Sequence, residues 1–459
     1  MLKCSGIATP VVLGLAALLI TPSAQAQGIL TLNESFSLVP PGLNASDSLG
    51  LGVSIDAGRA AVGAPDVGGL PFFGDDGLGT VYLADVATGA ISRTIDDPAA
   101  QVGGWFGLAV ALEGSHLVVG SPGFGDPLAG PAVLPGVAYL FDADTGSLVH
   151  TLNHSTPIPV QAYADTVGLS GDVIAVGARR DNEAGPGAGA VFVFDAVSGL
   201  ETFKLVADDA EDGQAFGTSV DVDDGLIAIG APGSTQTMNS EGAAYLFDAT
   251  TGSQVFKLEI VDASPELFFG RSVAIENGLV VVGAAGSAYL FDAATGQLVL
   301  EIEVPISENA GRFAEVVAIG GDSIIIGAPS AVTATISGGA AYVYNLDGNL
   351  QRKFIPTSLA EDEQFGVGVA IDGFDAVVGA DLSDQAGAGS GAAFLFKSAA
   401  GCSVADVGIP FGFIDLSDVD AFIEAFLSGD ALADIAVPFG FIDLSDVDAF
   451  IAAFLAGCP

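Results

Sequence analysis

Few residues of this chain have the types and spacing that enzyme chemistry requires. The three histidines, His116, His150 and His154, form no H-E-x-x-H motif, and the last two are expected on the surface of an outer strand. The sequence contains no Gly-x-Ser-x-Gly nucleophile motif and no phosphate-binding P-loop. The chain has 56 acidic residues, so the sequence does not exclude a glycosidase-like pair of carboxylates. Only the geometry of the folded protein would single out one such pair. We therefore predict no catalytic residue in this chain.

The one cationic cluster is Arg179-Arg180-Asp181, in a chain with 12 Lys+Arg, 56 Asp+Glu and a formal net charge of -44. We expect these arginines to pair with neighbouring acids, and a binding loop at this position is the alternative. The overall charge repels phosphate backbones and anionic lipids. No nucleic-acid partner is therefore predicted.

The first 26 residues have the pattern of a secretory signal peptide. Lys3 supplies a positive charge, Val11 to Ile20 is apolar, and Ala24-Gln25-Ala26 fits a cleavage site. No later run of about 18 apolar residues predicts a membrane span. We expect a secreted or cell-surface protein with two remaining cysteines, Cys402 and Cys458, whose even number favours a disulfide.

Seven copies of one unit fill residues 27–399, and Phe216 to Gly252 is the clearest of them. In each copy two alternating apolar runs meet at a tight turn, and the second run ends on a glycine. A third run follows in each copy. It leads into a Thr-Gly or similar turn, which is Asp-x-x-Thr-Gly at Asp142 to Gly146, Asp248 to Gly252 and Asp292 to Gly296, and its aspartate is expected to cap backbone N–H groups. Four short strands per unit predict an all-β, seven-bladed β-propeller of four-stranded blades. The marker glycines lie 44 to 57 residues apart, at Gly63, Gly120, Gly177, Gly230, Gly283, Gly327 and Gly379.

The seventh copy lacks its fourth run, which lies at the other end of the mature chain. Phe36-Ser37-Leu38-Val39 corresponds to Phe203-Lys204-Leu205-Val206 of an inner copy. We expect this N-terminal strand to complete the last blade and close the ring, which removes the exposed sheet edge of an open array.

The repeated motifs resemble the FG-GAP repeats of integrin α-subunits and their bacterial relatives. Phe-Gly stands at positions 106, 216, 269 and 365, and Gly-Ala-Pro at positions 63, 230 and 327. In that family some blades hold calcium between the two motifs. Here the connections are tight turns, predicted at Glu113-Gly114, Asp224-Gly225, Asn277-Gly278, Gly320-Gly321 and Asp372-Gly373. Two residues cannot surround a cation that needs six to eight oxygens, so no calcium and no other cofactor is predicted in the blades.

The composition changes near residue 400, where a tandem duplication begins. Asp415 and Asp443 mark equivalent positions, 28 residues apart. After each of them the apolar residues fall at helical spacing, as in Val419, Phe422 and Ile423, which predicts an α-helix with the aspartate as its N-cap. A disulfide between Cys402 and Cys458 would enclose both units and contribute roughly 4 kcal/mol in the chain-entropy model.

Two loop–helix units bracketed by cysteines resemble a dockerin, specifically the variety that ends in Gly-Cys-Pro. In dockerins each loop is half of a calcium-binding EF-hand. Gly408 to Phe411 offers no side-chain oxygen, so helix capping is the alternative to calcium. The resemblance implies that residues 400–459 form a separate domain, with a cohesin-like or other surface protein as the partner of residues 401–459. It places six aspartates at metal-ligand positions: Asp406, Asp415, Asp418, Asp434, Asp443 and Asp446.

Together these features predict a secreted, non-catalytic binding or adhesion propeller that a dockerin-like tail tethers to an extracellular or cell-surface assembly. A protein or glycan ligand is expected on the loops that follow the Gly-Ala-Pro positions, chiefly residues 66–79, 123–136 and 233–242. The alternative is a polysaccharide-degrading hydrolase or lyase on the same scaffold, because dockerins accompany such enzymes.

Overall fold

The computed structural model describes residues 30–32, 34–65, 78–100, 103–123, 135–156, 162–233, 242–260, 268–304, 309–333, 336–358, 360–373 and 375–397. These residues form strands and turns and contain no helix, so this part of the chain is all-β, as predicted. Seven sheets of four or five strands follow one another along it, an arrangement consistent with a β-propeller. We call these sheets blades 1 to 7 in chain order, and we number the strands of each blade from the innermost outwards.

Six blades contain four strands each. Blade 1 is formed by Val53–Asp56, Arg59–Ala64, Thr80–Asp85 and Ile91–Asp96. Blade 2 is formed by Ala109–Glu113, His116–Ser121, Val137–Asp142 and Ser147–Leu152. Blade 3 is formed by Tyr163–Ser170, Val173–Ala178, Ala190–Asp195 and Glu201–Leu205. Blade 4 is formed by Ser219–Asp223, Leu226–Ala231, Ala243–Asp248 and Ser253–Leu258. Blade 5 is formed by Ser272–Glu276, Leu279–Gly283, Ser287–Asp292 and Gln297–Glu303. Blade 7 is formed by Val369–Asp372, Asp375–Ala380, Ala392–Phe396 and Phe36–Leu38.

Blade 6 has a fifth strand that the sequence did not predict. Its strands are Val316–Gly320, Ser323–Ala328, Ala340–Asn345 and Leu350–Phe354, and Leu30–Leu32 pairs with the last of these in parallel. The pairing inside the blades is otherwise antiparallel. A small separate sheet lies beside blade 6 and contains Asn309–Gly311, Ser330–Thr333 and Ile336–Ser337.

The last blade takes its outer strand from the N-terminal segment, as predicted. Phe36, Ser37 and Leu38 pair antiparallel with Leu395, Phe394 and Ala393. Blade 7 also contacts blade 1 through a bridge between Gly391 and Leu49, which matches the bridges between other neighbouring blades. Each first strand contacts the first strand of the next blade, and that of blade 7 contacts that of blade 1.

The turns between first and second strands are of two kinds. In blades 1, 4 and 5 both loop residues have positive φ, as a type I′ turn requires: Ala57-Gly58, Asp224-Gly225 and Asn277-Gly278. The predicted turns Glu113-Gly114, Gly320-Gly321 and Asp372-Gly373 are wrong by one residue. Each first strand there continues for one more pair, so the loops begin at Gly114, Gly321 and Gly373. All three glycines have positive φ. In the turns at Gly114 and Gly321 the second loop residue does not, which is the type II′ pattern.

The two repeated motifs interlock neighbouring blades. A glycine at or next to the end of each second strand lies against the backbone carbonyl of the second residue of the next blade's Phe-Gly position, so closely that a Cβ atom would stand 1.9 to 2.4 Å from that oxygen. In blades 1, 3 and 6 the Phe-Gly position is occupied by Leu49-Gly50, Tyr163-Ala164 and Phe313-Ala314. This contact occurs between every pair of neighbours and explains why the chain repeats both motifs. The pairs are Gly63 with Gly107, Gly120 with Ala164, Gly177 with Gly217, Gly230 with Gly270, Gly283 with Ala314, Gly327 with Gly366, and Gly379 with Gly50.

The hydrophobic core lies between the blades. Each of seven buried clusters joins two neighbouring blades, including blade 7 with blade 1. In blade 4, Phe216 packs against Tyr245 and Phe247, with ring centroids 5.4 and 5.7 Å apart. Alternating apolar residues therefore face a neighbouring blade on both sides of each sheet, which is why the strands contain so few polar residues.

The Asp-x-x-Thr-Gly turns cap backbone N–H groups, as predicted. Asp142 Oδ1 accepts from Thr145 N–H at 2.7 Å, and Asp248 Oδ1 accepts from Thr251 N–H at 2.7 Å. The Thr145 hydroxyl also donates to Asp142 Oδ1, and this bond together with the N–H bond lowers the pKa of Asp142. The N–H bond from Thr251, with that residue's hydroxyl, lowers the pKa of Asp248.

The predicted signal peptide, the duplicated tail and the predicted Cys402–Cys458 disulfide lie outside the described residues. Among the residues that are described, no helix is long and apolar enough to cross a membrane.

Candidate ligand site at the channel mouth

The seven first strands surround a central channel with a cavity of about 330 Å³. The hairpin turns lie at one end of this channel, and the Phe-Gly positions lie at the other. We call the second end the channel mouth. A second cavity opens there, with a volume of about 710 Å³, which is in the range of sites for small organic ligands.

The residue before each Phe-Gly position has a left-handed backbone. In all seven blades this residue is not glycine, so the conformation costs roughly 1 kcal/mol at each place. Such conformations persist where the surrounding structure fixes them, and they are common at ligand sites. The seven residues are Ser48, Trp105, Ala162, Ala215, Phe268, Arg312 and Gln364, with φ between 45° and 59°.

The residue after each Phe-Gly position lines the cavity at the mouth. Each blade contributes one such residue, and we call the seven of them the mouth ring. They are Leu51, Leu108, Asp165, Thr218, Arg271, Glu315 and Val367, in the order of blades 1 to 7. Blades 7, 1 and 2 are neighbours and supply only apolar residues, whereas blades 3 to 6 supply only polar or charged ones. The mouth ring is therefore apolar on one arc and charged on the other.

Arg179 reaches the mouth ring from the loop after the second strand of blade 3. Its Nε lies 2.8 Å from Asp165 Oδ2, and the Asp165 side chain is only 5% exposed. Arg180 lines the same cavity. Asp181 instead pairs with Lys204 at 3.0 Å, away from the channel. The predicted pairing of this cluster with acids is confirmed for Arg179. The alternative, a binding loop at this position, stays a prediction.

Two further arginines share one carboxylate on the opposite side of the charged arc. Glu315 pairs with both Arg271 and Arg312, and its own side chain is nearly buried. Burial lowers the pKa of Arg271, and the positive charges of Arg312 and Arg179 lower it further. Three guanidinium groups therefore lie close enough to repel one another, in a chain whose net charge is strongly negative.

Asp165 lacks part of its hydrogen bonding at the mouth. Burial raises its pKa to about 7, and the charge of Arg179 offsets only part of this effect. Among the described residues its Oδ1 atom has no hydrogen-bond partner, although it is buried. An unpaired buried acceptor typically costs about 1–3 kcal/mol. A ligand that donates a hydrogen bond to this atom would recover that free energy.

The other end of the channel is occupied by structural contacts. The last residue of five first strands is acidic, and its carboxylate accepts a hydrogen bond from a turn N–H group of the next blade. These acids are Asp56, Glu113, Asp223, Glu276 and Asp372, with distances of 2.6 to 2.9 Å. The carboxylates at this end join blade to blade, and they explain why the first strands end on acidic residues.

Most of the candidate site residues named in the sequence analysis do not lie among the described residues of the channel mouth. The six tail aspartates lie outside the described residues, as do 66–77, 124–134 and 234–241, which are most of the three expected ligand loops. His154 packs its ring 4.9 Å from that of Tyr163, and burial lowers its pKa. Within the described ranges no group of three or more His, Cys, Asp or Glu side chains could hold a metal ion.

Sequence reasoning missed the mouth ring, although a signal for it was present. Aligning the copies on Phe-Gly gives a column that varies from leucine to arginine directly beside two nearly constant positions. Variation next to a constant scaffold position is typical of a ligand site.

Comparison with known proteins supports the repeat and the fold. Residues 200–247 and 349–396 match the model of the FG-GAP repeat family. No curated protein matches the sequence. A chain in the crystal structure of a mitotic checkpoint complex has a similar fold, with 14% identity and a TM-score of 0.51 over 86% of this chain and 96% of that one. At that identity the similarity shows the fold alone. The chain thus contains FG-GAP repeats at residues 200–247 and 349–396, within a β-propeller-like fold.

Proposed function

We propose that this protein is a secreted, non-catalytic binding module: a closed seven-bladed FG-GAP propeller that holds a ligand at its channel mouth. The mouth ring carries this proposal. One variable residue per blade converges on a cavity of about 710 Å³. Asp165 Oδ1 is buried there and has no hydrogen-bond partner among the described residues. A rigid scaffold with variable residues at one end is how many propellers and loop-bearing folds present a binding site.

The alternative is a polysaccharide hydrolase or lyase at the same place. Asp165 favours it, because a carboxyl group with a pKa near 7 in a cavity has the property of a general acid. The pairing of Asp165 with Arg179 favours the binding function instead. An arginine beside the carboxylate holds it in place and opposes proton transfer to a substrate.

One experiment separates binding from catalysis. Soluble glycans and secreted proteins are incubated with the mature protein, and both retention and new reducing ends are measured. We expect retention without cleavage, and a loss of about tenfold or more in affinity for Arg271→Gln. Arg93→Gln is the matched control, because Arg93 lies on an outer strand and donates to Asp144 O at 2.7 Å. Cleavage that disappears in Asp165→Asn would establish the enzyme instead, and retention that Arg271→Gln leaves unchanged would move the site away from the mouth.

We also propose that residues 400–459 tether the propeller to a surface or extracellular protein, in the manner of a dockerin. The support is the sequence duplication and the pair Cys402 and Cys458. The full mature chain is expected to capture a cohesin-like or other surface protein from the extracellular fraction, and a chain that ends at Ser398 is not.

Repeating this capture with a calcium chelator distinguishes the two readings of the tail aspartates. Loss of capture would assign calcium to Asp406, Asp415, Asp418 and their counterparts in the second unit. Unchanged capture would assign Asp415 and Asp443 to helix capping. Equal capture by the truncated chain would exclude the tether.

A further inference from the structure

We infer that the channel mouth binds a hexuronate residue of an acidic glycan, with the sugar carboxylate at Arg271 and Arg179 and a sugar hydroxyl at Asp165. This inference rests on the proposed binding function and names its ligand. Three observations at the mouth carry it: the concentration of arginine, the unpaired buried acceptor and the apolar arc.

The arginines select an anion. Four of the twelve Lys and Arg residues of the chain, Arg179, Arg180, Arg271 and Arg312, lie at or beside this one cavity. Arg179 pairs with Asp165, and Arg271 and Arg312 pair with Glu315. Arg312 also donates to Gln364 Oε1 at 2.9 Å. The side chain of Arg271 is 48% exposed. A guanidinium group has five donors in a fork that fits a carboxylate, so pairing with Glu315 leaves donors of Arg271 for a ligand.

The unpaired oxygen of Asp165 narrows the choice of anion. Inorganic sulfate and simple fatty acids offer acceptors to the arginines but no donor to Asp165 Oδ1. A hydroxylated acid offers both. The arginine and the aspartate are adjacent, since Arg179 Nε and Asp165 Oδ2 are 2.8 Å apart. The ligand must therefore carry its carboxylate and its hydroxyl close together, as a hexuronate ring does.

The remaining walls fit a sugar ring. Phe268 lines the cavity and is half-buried. It is the residue before the Phe-Gly position of blade 5, and its backbone is left-handed. Leu51, Leu108 and Val367 supply the apolar arc of the mouth ring. A pyranose has C–H groups on its faces and hydroxyl groups around its rim, so it suits a site with one apolar side and one charged side. The cavity volume allows a short segment of a glycan rather than a single small ion.

The test compares trigalacturonate with its fully methyl-esterified form by isothermal titration calorimetry, using the full mature protein. The two probes have the same size and hydroxyl groups and differ in their carboxylates. We expect trigalacturonate to bind and the ester to bind about tenfold more weakly or not at all. Arg271→Gln is expected to abolish this preference. Asp165→Ala is expected to weaken both probes by a similar factor, since it removes the hydroxyl contact, and the outer-strand control Arg93→Gln is expected to bind like the wild type.

Three outcomes would overturn this inference. Equal binding of the acid and the ester would show a sugar site without carboxylate recognition. Displacement of trigalacturonate by millimolar sulfate as effectively as by galacturonate would show an anion site without sugar recognition. The absence of binding by either probe would exclude hexuronates. None of these outcomes excludes the proposed binding function, which fails only if no glycan or protein ligand depends on the mouth ring. The thermal unfolding midpoint of each variant shows that it is folded.

Discussion

Gly230→Ala is expected to destabilise the protein by about 3 kcal/mol or more. The new Cβ atom would stand 1.9 Å from Gly270 O of the next blade and 2.3 Å from Ser219 Oγ. The first obstacle is backbone, so it cannot rotate away as a flexible side chain could. Gly230 does not have a left-handed φ, so the expected loss of stability comes from steric overlap of the new Cβ atom and not from backbone strain. To make room, blades 4 and 5 would have to separate, and the apolar contacts between them would loosen.

Gly225→Ala is the matched control. Gly225 lies in the hairpin turn of the same blade with φ of +80°, and no atom lies within 4 Å of the position of its Cβ. Alanine there is expected to cost only the backbone term of about 1–2 kcal/mol. Urea unfolding of both variants measures the difference. Equal free energies of unfolding would mean that the glycine–carbonyl contacts between blades do not hold the ring at its present spacing.

Asp221→Ser is expected to stabilise the protein above neutral pH. Asp221 is partly buried in the wall between the first strands of blades 4 and 5. Its carboxylate accepts hydrogen bonds from Ile275 N–H at 2.8 Å and Val222 N–H at 2.9 Å. Burial nevertheless raises its pKa to about 7. Ser54 occupies the equivalent position in blade 1, where its Oγ accepts from Leu112 N–H at 3.0 Å. Serine can thus make the contact between blades without a charge.

The sign of the pH effect follows from the raised pKa. Folded Asp221 holds its proton up to about pH 7, whereas unfolded aspartate loses it near pH 4. The wild-type protein therefore loses stability as pH rises from about 4 to about 7, by roughly 1.4 kcal/mol per unit, and the total cannot exceed about 4 kcal/mol. The serine variant avoids this loss, so its advantage over the wild type should grow between pH 5 and pH 8.

Denaturant unfolding of both proteins at pH 5 and pH 8 provides the measurement. Asp248→Asn is the control, because the pKa of this exposed turn aspartate is lowered by backbone N–H groups of its turn. The stabilisation that Asp248 provides is lost only as pH falls through and below the usual pKa of aspartate. The difference in unfolding free energy between Asp248→Asn and the wild type should therefore stay constant between pH 5 and 8. A constant difference for Asp221→Ser as well would mean that Asp221 ionises normally in the folded protein.

The sequence predicts most of the blade structure because the information there is local. Alternating apolar residues set the strands, and the glycines and aspartates of each turn set its type. The repeat makes these signals stronger, because an ambiguous stretch in one copy can be aligned with the same stretch in the other copies. The one-residue errors at Glu113, Gly320 and Asp372 arise because turn composition does not fix where the last strand pair ends. In the structure Glu113 and Asp372 also accept a hydrogen bond from the next blade, and no local pattern contains this contact.

The candidate site was not predictable in the same way. Leu51 and Arg271 are separated by more than two hundred residues and meet only because the blades surround one axis. Their positions could be found by counting from Phe-Gly, but their environment could not. The burial of Asp165 and its contact with Arg179 depend on how the loop after Ala178 returns to the mouth. The added strand Leu30–Leu32 was missed because it has no counterpart in the other copies.

The N-terminal strand of blade 7 also determines when the protein can finish folding. Ser35 Oγ accepts a hydrogen bond from Lys397 N–H at 3.0 Å, between residues 362 positions apart in the chain. During synthesis the N-terminal strand emerges first and must wait for the last repeat before it can pair. The entropic cost of closing so long a loop grows only with the logarithm of its length, but the delay exposes an unpaired edge in every incomplete chain. The protein is thus vulnerable to aggregation during its synthesis. The pairing between the two ends of the described chain couples the stability of every blade to all the others.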